Sequence, residues 1–186
     1  MIQTEIKTKR LILRKPKMSD SNYFVDIFND KSATQFTHVL YPYTTKKASE
    51  WLKKNIKEFG KINYKFMIVL KDNKEVIGNC SFVGIDKRDN RGNVGYFLNK
   101  KYRNKGYMSE ACYGLLEFGF KKLKLNFINI NHVKGNKASE QVIKKMGAKY
   151  IGIEPKAVLT SDGKYKDHVL YGVLRNDWIK KNKLKK

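Results

Sequence analysis

Tyr102-Arg103-Asn104-Lys105-Gly106-Tyr107-Met108-Ser109-Glu110-Ala111 is the stretch on which the fold turns. It lies between a strand-like run, Asn93-Val94-Gly95-Tyr96-Phe97-Leu98, and a helix-like run from about Gly106 to Lys122. A basic, glycine-containing turn that leads from strand to helix is suited to holding an anion. N–H groups at a helix N-terminus lack intrahelical partners, and the helix dipole favours negative charge there. Arg103 and Lys105 add cations, and Gly106 lets the backbone come close to a ligand with no Cβ in the way. The stretch predicts a phosphate-bearing ligand. On its own a pattern this degenerate is weak, so the rest of the chain has to agree with it.

Upstream, Thr8 to Arg14 reads as a strand closed by Pro16. Ser19-Asp20 can cap a short helix to about Asn29, and Thr44 or Thr45 a second one to about Phe59. Between them, residues 31–43 read as irregular. Phe24, Phe28 and Trp51 read as core or as walls of a cleft. Tyr64–Leu70 and Glu75–Gly84 form two strands joined by Lys71-Asp72-Asn73-Lys74, and 91–98 adds a third. Downstream come a strand at Phe127–Val133 and a helix at Asn136–Met146 ended by Gly147. The last strands are Tyr150–Ile153 and His168–Leu174, with a turn at Ser161–Lys164 and an irregular stretch over 154–166. This order predicts an α+β fold in one domain over residues 1–186, with a basic C-terminal tail from about 179 to 186.

Composition narrows the function. The chain has 186 residues, 41% of them hydrophobic, enough for a substantial core. No apolar run reaches the roughly 18–20 residues that cross a bilayer, and the N-terminus lacks the layout of a signal peptide. Cys80 and Cys112, both in apolar stretches, read as reduced buried thiols, which suits the cytoplasm. His38, His132 and His168 are far apart and have no cysteine pairs beside them, so no metal is expected. The formal charge is +23. It is built mostly from lysine, whereas bidentate phosphate grips and base readout favour arginine. A solvated lysine-rich surface explains it, with steering of an anionic ligand as a further use. A basic nucleic-acid-binding module is the alternative reading.

A second helix start, Gly135-Asn136-Lys137-Ala138-Ser139, also follows a strand. If the strands at 93–98 and 127–133 are neighbours, both helix starts share one edge of the sheet and a ligand fits between them. Asn136 offers a donor and an acceptor to an amide-bearing ligand. Ser139 is suited to donating a proton to a leaving group.

With these residues in order, the chain resembles the GNAT superfamily of acetyltransferases, in the branch of ribosomal-protein N-terminal (Rim-type) enzymes. Arg103-Asn104-Lys105-Gly106-Tyr107-Met108 matches the pyrophosphate signature, with Met108 where the family has Gly or Ala. Glu110-Ala111, Thr8 to Arg14, Ile77-Gly78-Asn79, Val94-Gly95-Tyr96, Asn136 with Ser139, Met146-Gly147 and Asp167 to Tyr171 match further segments. The likeness spans about residues 8–178.

The resemblance implies a mixed, mostly antiparallel sheet flanked by helices, with a splayed strand pair at the cofactor site. It also implies acetyl-CoA as donor and a primary amine as acceptor, either a small molecule or a peptide such as a ribosomal-protein N-terminus, in a monomer or homodimer. The backbone of the splayed strand, through Phe97 and Leu98, is expected to bind the pantetheine. Residues 103–108 and Asn136 complete the cofactor site. Ser139 is expected to meet the leaving thiolate. Relatives place a Glu just before the Gly-Tyr of this strand, where Asn93 stands here. His168, Glu154, His132, His38 or a bound water remain as general base, with His168 the first candidate.

Overall fold

The structure is a computed structural model that describes residues 4–39, 41–61 and 63–183. Eight strands form one sheet: β1 (Glu5–Lys7), β2 (Leu11–Arg14), β3 (Tyr64–Leu70), β4 (Val76–Asp86), β5 (Arg91–Leu98), β6 (Phe127–Val133), β7 (Lys149–Leu159) and β8 (Tyr165–Leu174). Their order is β1-β2-β3-β4-β5-β6-β8-β7. Every neighbouring pair is antiparallel except β5 and β6, which run parallel. A parallel pair needs a crossover, and α4 (Tyr107–Lys121) supplies it.

The central strands are buried on both faces. In β3, Phe66 and Ile68 join the core under α4, while Met67 and Val69 face α1 (Ser21–Phe28) and α3 (Thr45–Glu58). That two-residue alternation explains why Phe66-Met67-Ile68-Val69 is one unbroken apolar run. Helix α4 lies so close to the sheet that a Cβ on Gly119 would stand 2.5 Å from Phe82 Cζ. A mid-helix glycine costs about 1 kcal/mol; the close packing it permits offsets that. On the other face, the buried Phe24 meets the half-buried Trp51 at 4.4 Å between ring centroids, so Phe24 is core and Trp51 packs against it.

Several elements depart from the sequence expectation. Just before Thr8, Glu5–Lys7 form β1, which pairs with β2 as a hairpin. The 31–43 segment contains a short helix, α2 (Lys31–Thr34), capped by Asp30 accepting from Ser32 N at 2.8 Å. Asp20 does not cap α1; its carboxylate takes a bidentate bond from Arg14, at 2.7 and 2.9 Å, and one from Lys17 N. Strands β7 and β8 run through the stretch expected to be irregular. As the sheet edge, β7 is exposed on both faces, with Tyr150, Ile151, Ile153 and Leu159 all open to solvent, so no inside–outside alternation marks it; its edge position also tolerates Pro155. The basic tail is helical through Lys183 in α6 (Arg175–Lys183), because Trp178 is buried against Phe120; residues 184–186 lie outside the described residues. Helices α3, α4 and α5 (Lys137–Met146) fall within a few residues of expectation, and Gly147 ends α5 at φ +77°.

Candidate active site

Strands β5 and β6 part company midway. Their last paired residues are Val94 and Ile130. Beyond that point β5 continues to Leu98 on its β4 side alone, and β6 continues to Val133 on its β8 side. A cleft of about 550 Å³ occupies the opening. It is lined by β5, the end of β6, the starts of α4 and α5, and the 32–38 segment.

Alternation along β5 fixes which backbone groups face the split. Asn99 N donates to Ile77 O at 2.9 Å, so the N–H groups of Phe97 and Gly95 also point to β4. Tyr96 and Leu98 therefore turn their N–H groups toward the opening. The orientation departs from expectation at one residue: the Phe97 N–H faces β4, and the N–H groups facing the opening are those of Tyr96 and Leu98. The Phe97 ring packs edge-on against Phe28, 5.0 Å away, and forms part of the cleft wall.

At the mouth of the split, α4 begins with open N–H groups. Its first helical bond is Glu110 N to Gly106 O at 3.1 Å, so Tyr107, Met108 and Ser109 have no intrahelical acceptor. Asn104 at φ +63° and Gly106 at φ +77° both adopt left-handed backbone, a conformation that turns successive N–H groups into an anion-binding concavity. The Met108 side chain is buried with its sulfur 3.6 Å from Cys112 Sγ, so what the turn offers here is the Met108 N–H. These features suit a pyrophosphate, which supports the fit of CoA.

The side chains of the turn behave differently. Lys105 and Tyr107 do not line the cleft. Tyr107 lies under the Arg10 guanidinium, 4.3 Å from the ring centroid, and Arg10 Nη1 donates to Lys105 O at 3.1 Å. Arg10 is held in turn by Glu110, whose carboxylate accepts from Arg10 N and Nε, both at 2.7 Å, and from Thr8 Oγ1 at 2.6 Å. The β1–β2 turn thus braces the loop at 103–108 from behind. Arg103 turns away from the loop: Nε donates to Leu98 O at 3.3 Å and Nη1 to Ser32 Oγ at 3.4 Å. The cations expected of Arg103 and Lys105 therefore do not join the N–H groups of this turn: Arg103 reaches Ser32 and Lys105 lies over the Tyr102 ring.

Across the split, Asn136 caps α5, with Oδ1 accepting from Ser139 N at 3.1 Å. Its acceptor is used by the cap, which leaves the amide nitrogen for a ligand. The Ser139 hydroxyl lies 2.8 Å from Tyr96 Oη. Burial, with Cys112 adding to it and the Ser139 bond opposing, pushes the Tyr96 phenol far above its ordinary range, so it stays protonated.

The three histidines, remote in sequence, all line the cleft. His168 stands opposite Val133 in the β6–β8 ladder, with Nδ1 3.7 Å from a Glu154 carboxylate oxygen. Burial lowers its pKa and Glu154 opposes, the net being below the ordinary 6.5, so the ring is neutral at pH 7. His132 is buried, stacked on Tyr171, and its Nε2 has no hydrogen-bond partner. His38 Nδ1 lies 2.9 Å from Leu159 O, which fastens the 32–38 segment to β7. Asn93 lies outside the cleft lining. Sequence reasoning missed Tyr96 as Ser139's partner and Ser32 as a wall; the alternation of β5 could have flagged Tyr96, but nothing local marks Ser32. Among the described residues no group of three or more His, Cys, Asp or Glu is placed to hold a metal ion. No helix among them is long and apolar enough to cross a membrane.

Comparison with known proteins agrees with this geometry. Residues 10–149 match the acetyltransferase (GNAT) domain, and the chain belongs to that family. It is 30% identical over 149 residues, covering 78% of this chain and 83% of the other, to the uncharacterized N-acetyltransferase p20 of Bacillus licheniformis. It is 29% identical over 126 residues to the [ribosomal protein uS5]-alanine N-acetyltransferase of Escherichia coli, covering 66% and 64% of the two chains. Among solved structures, RimL, a ribosomal L7/L12 alpha-N-protein acetyltransferase in complex with coenzyme A, superposes with a TM-score of 0.83. Identity there is 19%, over 91% of this chain and 97% of that one, and the likeness is one of fold.

Proposed function

We propose that the β5–β6 split is the site at which this acetyltransferase moves the acetyl group of acetyl-CoA to a primary amine. The carrying observation is the end of β5–β6 pairing at Val94 and Ile130, with the open start of α4 at its mouth. Acetyl-CoA supplies the activated thioester carbonyl. The N–H groups at 107–109 and the turn around Asn104 and Gly106 hold the pyrophosphate. The Tyr96 and Leu98 N–H groups bind along the split and orient the acyl carbonyl.

His168, neutral at working pH, accepts the proton that the attacking amine loses. Ser139 donates to the leaving sulfur while its oxygen accepts from Tyr96 Oη. That direction of donation satisfies both hydroxyls, because each donates once. The relatives' activities support a peptide N-terminus as acceptor, in the manner of ribosomal-protein N-acetylation. An α-amine with a pKa of about 7.7–8.0 is partly neutral at pH 7.5, far more so than a lysine side chain. The free buried thiols Cys80 and Cys112 support a reducing compartment, the cytoplasm.

The test pairs two measurements. CoA should raise the melting temperature in a saturable way, and thiol release from acetyl-CoA should depend on an added amine. A melting temperature indifferent to CoA would sink the reading.

A further inference from the structure

We propose that Arg103 recognises a carboxylate on the acceptor, so that the preferred amine carries a negative group close to its reacting nitrogen. The proposal rests on acetyl transfer taking place in this cleft. Three observations carry it.

The first is the direction of the side chain. Arg103 opens the phosphate-binding turn, yet its guanidinium leaves that turn and lines the cleft between Leu98 O and Ser32 Oγ. Leu98 is the last residue of β5 and Ser32 belongs to α2, so the charge sits toward the side walled by the 32–38 segment.

The second is the absence of a direct ion pair. Among the described residues no carboxylate forms an ion pair with Arg103. Asp30 feels its charge, but the Asp30 carboxylate accepts from Ser32 N and Ser32 Oγ at 2.8 and 2.9 Å. The two long bonds that Arg103 makes use two of its five N–H donors.

The third is the sign of the whole cleft. Among the described residues that line it are Arg103, Lys137 and Lys145, and no Asp or Glu. The cofactor phosphates answer part of that charge from the α4 side. A purely cationic acceptor entering past Ser32 would meet uncompensated repulsion. A carboxylate would meet a planar fork that matches it. The same positive field favours loss of the amine's proton, the state that attacks.

A free amino acid and a peptide with an acidic second residue carry this chemistry equally, and the experiment separates them. Purified full-length protein and acetyl-CoA are assayed for thiol release with matched pairs: alanine against alaninamide, and peptides beginning Ala-Asp against Ala-Asn. Rates are compared at equal concentrations of neutral amine. In at least one pair the carboxylate form should win by about tenfold or more, mainly through KM, the size of a charge-assisted hydrogen bond. Arg103→Gln should erase that preference and Arg103→Lys should restore part of it, while CoA stabilises both variants as it does the parent. Equal turnover within both pairs overturns the proposal, as does a preference that survives in Arg103→Gln. A matching loss of CoA stabilisation in Arg103→Gln would assign the guanidinium to a cofactor phosphate and overturn it too. If CoA binds but no amine of either kind releases thiol, acetyl transfer itself fails and the proposal falls with it.

Discussion

Replacing Glu110 with alanine should loosen the loop at 103–108, the proposed pyrophosphate site, from a point outside the cleft. Glu110 lies in the first turn of α4 and its side chain is 17% exposed. It accepts three short bonds, from Thr8 Oγ1, Arg10 N and Arg10 Nε. Hydrogen bonds to a charged group contribute about 1.5–3 kcal/mol each, and they do not simply add. The Arg10 side chain is 42% exposed, so its share is discounted for solvent screening. A loss of about 2–3 kcal/mol remains, mostly from leaving Thr8 Oγ1 and Arg10 N without this acceptor. For a chain of this size that lowers the melting temperature by roughly 5–10 °C.

Arg10 would then be free to let go of Lys105 O, and the CoA dissociation constant should rise about tenfold, equivalent to ~1.4 kcal/mol. Glu110→Gln keeps an acceptor for Thr8 and Arg10 N and should cost about half as much. The pH dependence has a definite sign. Burial pushes the Glu110 carboxyl up, but the bonds from Thr8 and Arg10 outweigh it and hold its pKa below 4.5. A depressed acid gives its full stabilisation above the unfolded value and loses it as pH falls through the folded one. The gap between parent and Glu110→Ala should therefore close below about pH 4.5. Thermal melts with and without CoA, with calorimetric titration of CoA, measure all of this. A Glu110→Ala variant that melts within a degree of the parent and binds CoA equally well would refute the bracing argument.

Three further outcomes are expected. Ser139→Ala should cut turnover by roughly a hundredfold, as loss of a general acid does, with CoA affinity kept; Tyr96→Phe should fall between it and the parent, and unchanged turnover in both would remove the hydroxyl pair from the chemistry. Gly106→Val should weaken CoA binding about tenfold, because an L-residue at φ +77° costs ~1–2 kcal/mol and a β-branched one more; Gly106→Asn should be milder, and equal losses in both would point to contact rather than conformation, although the nearest atom to the new Cβ is Arg10 Nη2 at an ordinary 3.5 Å. The pH profile of kcat/KM should rise with a midpoint below 6.5, as a histidine lowered by burial requires; in His168→Gln that limb should vanish and the acceptor amine's own limb remain.

The Thr8, Arg10 and Glu110 contacts show how a motif can be visible while its purpose is not. Thr8-Lys9-Arg10 and Glu110-Ala111 are recognisable in the chain, yet nothing local says that they touch. Their contact follows from the β1–β2 hairpin, whose first strand is only three residues long, too brief for its alternation to be read. The histidines show the same limit. His38, His132 and His168 belong to a loop and two strands, and only the β6–β8 ladder and the docking of His38 on Leu159 O bring them to one cleft.

By itself the sequence determined the apolar runs of β3 to β6, the helices α3 to α5, and the basic, glycine-containing turn at 103–108 that opens α4. These are set by nearest-neighbour physics: side-chain period, backbone propensity, and unpaired N–H groups at helix starts. The tertiary structure alone decided the end of pairing at Val94 and Ile130, which makes that turn the mouth of a cleft. It also decided which groups face inward: Tyr96 and Leu98 rather than Phe97, and the backbone rather than the lysine of the turn. Those choices depend on strand register and on packing between residues about 100 positions apart, such as Arg10 and Glu110, and no local pattern encodes a contact of that range.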